Sequence, residues 1–75
     1  MAQLKYEHAQ DIAIDFVKER KSVADVHVTM TEMIDGVWVI KGTCPIDLAG
    51  HPWRETFEVK VDQKGKIKAS SFRLM

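Results

Sequence analysis

Trp53-Arg54-Glu55-Thr56-Phe57-Glu58-Val59-Lys60-Val61 alternates with a period of two. Trp53, Phe57, Val59 and Val61 fall on one side, and Arg54, Thr56, Glu58 and Lys60 on the other. Successive strand side chains point to opposite faces, so the pattern predicts a strand with one buried and one wet face. Asp62-Gln63-Lys64-Gly65 follows it and fits a type I turn with glycine at the left-handed position. Lys66 to Leu74 then makes a last strand.

Upstream the same period recurs twice. Val37 to about Cys44 reads as one strand, and Val26, Val28 and Met30 alternate with His27, Thr29 and Thr31 as another. Asp35-Gly36 joins the two as a tight hairpin, because glycine accepts the positive φ that such turns need. Pro45-Ile46-Asp47-Leu48-Ala49-Gly50-His51-Pro52 reads as a longer connection, bounded by two prolines that cannot donate to a ladder. Before Ser22 the period is different. Tyr6, Ala9, Ile12, Ala13, Phe16 and Val17 recur at steps of three and four, which makes one apolar stripe on a helix from Tyr6 to Arg20. Asp11, Asp15, Lys18 and Glu19 turn mainly to water, and Lys18, Arg20 and Lys21 suit the negative end of the helix dipole.

The chain is therefore expected to be a single α+β domain spanning residues 1–75. One N-terminal helix packs on a three- to four-stranded antiparallel meander sheet and covers one of its faces. At 75 residues there is room for one thin core, and too little for a two-domain cleft or a nucleotide-binding Rossmann unit. Hydrophobic and charged fractions of 45% and 29% exclude a disordered or membrane-embedded class.

The second strand is apolar on both sides, Val37 and Val39 pointing one way and Trp38 and Ile40 the other. One short helix cannot cover both. Either twist, the sheet edge or the Pro45–Pro52 segment hides the surplus, or an apolar patch docks a protein partner or a second copy of the chain. Trp53 shares the Phe57 face and reads as core. Trp38, with Ile40, is the better interface candidate.

The formal charge is zero, which argues against a dedicated nucleic-acid binder. Its distribution is uneven. Residues 60–75 carry +4 and residues 1–59 carry −4. A basic patch of Lys64, Lys66, Lys68 and Arg73 thus offers a runner-up reading, RNA or an acidic ligand. Phe72 is the one aromatic residue interleaved with it, and lysines on an edge hairpin also discourage strand aggregation.

Catalytic chemistry finds little support. Cys44 and His51 flank one connection, and a Cys-His pair is the minimum for nucleophilic catalysis. A small buried or half-exposed thiol before a proline accounts for Cys44 as well. His8, His27 and His51 lie on three different elements without metal-ligand spacing, and the four glycines sit scattered at turns rather than in a phosphate loop. Asp11 and Asp15 read as a solvated helix face. The expectation is a non-catalytic module with no cofactor and no metal.

Met1 to Glu7 contains no apolar core of signal-peptide length, and no run approaches a membrane span. A single cysteine allows no internal disulfide. A cytoplasmic protein without membrane attachment is expected.

The stretch from Phe57 to Ile67 resembles the closing hairpin of PepSY-type domains, where an F/Y-x-V-x-V strand runs into a D-x-x-G turn and a short last strand. The preceding helix, strand and Gly-led strand Asp35-Gly36-Val37-Trp38 are similar too, so the resemblance spans about residues 6–72. The gas-vesicle accessory O family shows a similar helix and meander with a Gly-Trp-type strand. Resemblance to PepSY implies a small regulatory or peptidase-inhibiting module, commonly secreted or membrane-attached. The absence of an export signal in the N-terminal sequence departs from that pattern. Neither resemblance brings catalytic residues.

Overall fold

A computed structural model describes residues 4–48 and 50–74. The elements run α1 (Tyr6–Lys21), β1 (His27–Ile34), β2 (Val37–Leu48), β3 (His51–Val61) and β4 (Ile67–Leu74). The strands form one antiparallel sheet in the order β1-β2-β3-β4, the expected meander, with α1 against one face.

Ala9, Ala13 and Val17, each four residues from the next, are fully buried in the helix stripe. Two alanines there bring the helix backbone close to the sheet. Opposite them lie Ile40 and Cys44 from β2 and Phe57, Val59 and Val61 from β3, which complete the core. The helix stops at Ser22, whose left-handed backbone (φ 55°) lets the Val23 N–H donate to the Lys18 carbonyl at 3.1 Å.

Both short turns form as expected. Asp35 and Gly36 have φ of 51° and 78°, the double positive that a two-residue turn with right-handed strand twist requires. At the other hairpin the Gly65 N–H donates to the Asp62 carbonyl at 3.1 Å. The Asp62 carboxylate also accepts from the N–H groups of Lys64 and Lys66, both at 2.9 Å.

Three readings need correction. The Pro45–Pro52 segment is no loop: β2 continues through Pro45 to Leu48, and β3 begins at His51, directly paired with Leu48. Pairs Pro45↔Arg54 and Asp47↔Pro52 are two steps apart and so of one type. Both prolines can therefore turn their missing N–H outward, away from the partner strand, and no rung is lost.

Second, a bulge at Thr29 reverses the alternation in β1. Val28 pairs with Gly42 and Met30 with Lys41, so Thr29 is the extra residue. Val28 stays on the helix side, and Met30 moves to the uncovered face.

Third, Trp38 and Ile40 lie on the helix-covered face. Ile40 is 0% exposed, and the Trp38 indole N–H donates to the Leu4 carbonyl at 2.8 Å. The apolar residues on the other face of β2 are Val37 and Val39. Trp53 does share the core face of Phe57, yet it is 46% exposed because it lies beyond the end of the helix.

That last point reflects the shape. The molecule is 48 Å long and 18 Å by 17 Å across, whereas a 16-residue helix measures about 24 Å. β1 ends its pairing at Thr43, and β4 ends at Glu55. Residues 45–48 and 51–54 thus project as a two-stranded arm.

Candidate interaction surface

The register lines residues of the uncovered face into rows across the sheet. His27, Thr43, Thr56 and Arg73 form one row, followed by Met30, Lys41, Glu58 and Ser71, then Glu32, Val39, Lys60 and Ala69. Ile34 and Val37 end the series at the hairpin. Arg54 stands beside the first row, at the base of the arm. Lys68, the bulged residue of β4, shares a depression with Val39, Lys41, Glu58 and Lys60.

This face is cationic. Lys41, Lys60, Lys68 and Arg73 stand in or beside the rows against Glu32 and Glu58. Glu58 is already engaged, with Lys41 at 3.6 Å and Lys60 at 4.0 Å. Neither Lys68, Arg54 nor Arg73 has a carboxylate within ion-pair distance among the described residues. A shallow groove between the first two rows is lined by Lys41, Thr43, Thr56, Glu58, Ser71 and Arg73. Val39, 4% exposed, lies among the lysines and the β1 side chains rather than in the core. Long lysine stems covering apolar surface while their ammonium groups stay wet suit such a position. The chain's six aromatic residues all lie on α1 or on the helix side of the sheet.

The four basic residues singled out by sequence do not form one patch. Lys64 and Lys66 sit at the turn, their backbones on the Asp62 carboxylate. Those N–H bonds, Lys66 first, hold the Asp62 carboxyl below its usual range. Lys68 and Arg73 lie on the uncovered face, five residues and about 16 Å apart along β4. Their cationic neighbours there are Lys41, Lys60 and Arg54. Sequence reasoning missed these because strand pairing, not chain distance, brings them together.

Cys44 and His51 do not meet. Cys44 is buried opposite Glu55, and His51 is four ladder steps away at the arm tip, about 13 Å along the strand. Burial pushes the thiol pKa up and the Glu55 charge adds to this, with Lys21 opposing. A low thiol pKa, which a nucleophile needs, is the opposite of this setting. Lys21 Nζ lies 2.9 Å from Glu55 Oε1, a buried oxygen with no directional hydrogen bond, and 4.3 Å from the Phe72 ring centroid. The cluster closes the helix C-terminus onto the sheet. Among the described residues no group of three His, Cys, Asp or Glu side chains could hold a metal ion, and no helix is long and apolar enough to cross a membrane.

No protein-family model matches the chain, and neither a curated protein nor a solved structure matches it.

Proposed function

We propose that this chain is a small non-catalytic interaction module whose recognition surface is the uncovered sheet face and whose partner is an acidic protein segment. The observation carrying the reading is the cationic face itself: Lys41, Lys60, Lys68 and Arg73 converge from three strands, with Arg54 beside them. The two carboxylates of the rows, Glu32 and Glu58, leave a cationic excess among these side chains. Hydroxyls of Thr43 and Ser71 lie between the cations and suit carboxylate or backbone acceptors. Ile34, 47% exposed, and Met30, 37% exposed, add apolar contact along the β1 edge.

Two such faces stacked on each other would oppose like charges, so the surface favours a foreign acidic partner over a second copy. Single-stranded RNA finds support in the charge, but binders of unpaired bases rely on aromatic platforms, and the face has none. A regulatory module is also what the PepSY-like closing hairpin implies.

Fluorescence anisotropy with labelled poly-L-glutamate tests this. Binding at low salt should weaken at least about tenfold in Lys41→Glu/Arg73→Glu, since each reversal removes one attraction and adds one repulsion. Unchanged binding in that variant, or none in wild type at low salt, contradicts the reading. Preference for an RNA probe over poly-L-glutamate would favour the nucleic-acid alternative.

A further inference from the structure

We propose that β1 pairs antiparallel with β1 of a second copy of the chain, across a two-fold axis at Thr31, to make one continuous eight-stranded sheet. The inference rests on how differently the sheet's free edges are protected.

An edge strand presents unpaired N–H and C=O groups, and proteins block such edges with proline, lysine or bulges. The arm has Pro45 on one strand and Pro52 on the other, each with its nitrogen turned outward. β4 has a bulge at Lys68 and carries two cations, Lys68 and Arg73, toward its two ends. β1 has neither device over most of its length. From Met30 to Ile34 it runs regular, with no proline, no lysine and one charge, Glu32. Its single bulge lies at the far end, at Thr29. Met30, Met33 and Ile34 are 37%, 39% and 47% exposed and make up half of the exposed large hydrophobic residues described.

The register follows from the ladder. The two-residue Asp35-Gly36 turn makes Ile34↔Val37 a hydrogen-bonded pair, so Glu32 and Met30 also bond inward to β2. Thr31 and Met33 therefore turn their N–H and C=O groups outward. Centring the pair on Glu32 would set two carboxylates face to face. Centring it on Met33 would bring Asp35, in a left-handed turn, into the ladder. Centring it on Thr31, the outward residue nearest the middle of β1, avoids both.

In that register Met30 stands opposite Glu32 of the second copy, twice by symmetry. Both side chains point to the uncovered face. The two-fold runs through the sheet, so both helices lie on one side and both cationic faces on the other. The dimer leaves the proposed binding face open and doubles its length.

Sedimentation equilibrium on wild type, Met30→Glu and Met30→Lys reads this directly. Wild type should be dimeric at high micromolar concentration. Met30→Glu places like charges in both cross-strand pairs and should weaken the dimer roughly tenfold or more, whereas Met30→Lys gains an opposite charge and should hold or tighten it. Within the monomer Met30 faces Lys41, so Met30→Glu does not endanger the fold. Amide exchange gives a second readout: Thr31 and Met33 should gain protection as concentration rises. A strict monomer, or two variants that shift the equilibrium alike, overturns the proposal. Poly-L-glutamate binding is read on wild type and the Lys41/Arg73 variant, not on the Met30 variants, so the two proposals fail separately.

Discussion

The indole N–H of Trp38 donates to the carbonyl of Leu4 at 2.8 Å, which ties the chain's N-terminal segment to the hairpin end of the sheet. Leu4 in turn donates its N–H to the Gln63 side-chain oxygen at 3.1 Å, and the Gln63 amide donates to the Gly36 carbonyl at 2.9 Å. One tryptophan and one glutamine thus join the N-terminal segment to both turns. Trp38→Phe keeps an aromatic ring but loses the donor and some apolar bulk. It should cost about 1 kcal/mol of unfolding free energy, typical of one net hydrogen bond. Urea titration checks this, and an unchanged midpoint would show that the bond contributes nothing.

Gly42 is required for close approach. A Cβ built there would stand 2.0 Å from the His27 carbonyl oxygen and 2.7 Å from Phe57 Cζ. Backbone and a core ring cannot both move aside. Gly42→Ala should destabilise by about 1–3 kcal/mol through overpacking, seen as a lower thermal midpoint. Gly36→Ala meets no atom, and its cost is the positive φ alone.

Asp62 links stability to pH. Its carboxylate accepts the Lys64 and Lys66 N–H groups, and its folded pKa is depressed, so its contribution is present above the unfolded carboxylate value of about 3.9. As pH falls through the lower folded value, that contribution is lost. Acid titration of Asp62→Asn should show less of this loss than wild type. Equal slopes would remove Asp62 from the account.

The Cys44 thiol has the opposite sign. Its folded pKa is raised, so neutral thiol is favoured, and the resulting stability fades as pH rises past the unfolded thiol range. A thiol reagent should react slowly with folded protein and at once on unfolding. Lys21→Met removes the one charge that lowers this pKa. Titration of thiolate absorbance should then move further alkaline.

Much of the fold was legible because its signals are local. The three-and-four spacing from Tyr6 to Val17, the Asp35-Gly36 turn and the Asp62–Gly65 turn each act within a few residues. The two prolines misled, since a proline excludes a strand interior but not a free edge. Even so, the expected connection of eight residues, Pro45 to Pro52, would have set Cys44 opposite Trp53. That pairing has the same parity as the observed Cys44↔Glu55. It already places Trp38 and Ile40 on the Phe57 side, so their burial was deducible by following the ladder. The bulge at Thr29 was not, because nothing in Val28-Thr29-Met30 distinguishes an extra residue from a rung. The cationic rows needed strand order as well as pattern: Lys41 and Arg73 lie 32 positions apart in the chain.

The central claim is that the uncovered face recognises acidic protein, and a two-dimensional amide NMR titration with poly-L-glutamate tests it most directly. At low salt the largest shifts should map to Lys41, Thr43, Thr56, Lys60, Ser71 and Arg73, and they should vanish at high salt. Shifts confined to Lys64 and Lys66 at the turn, or to the helix, would contradict it.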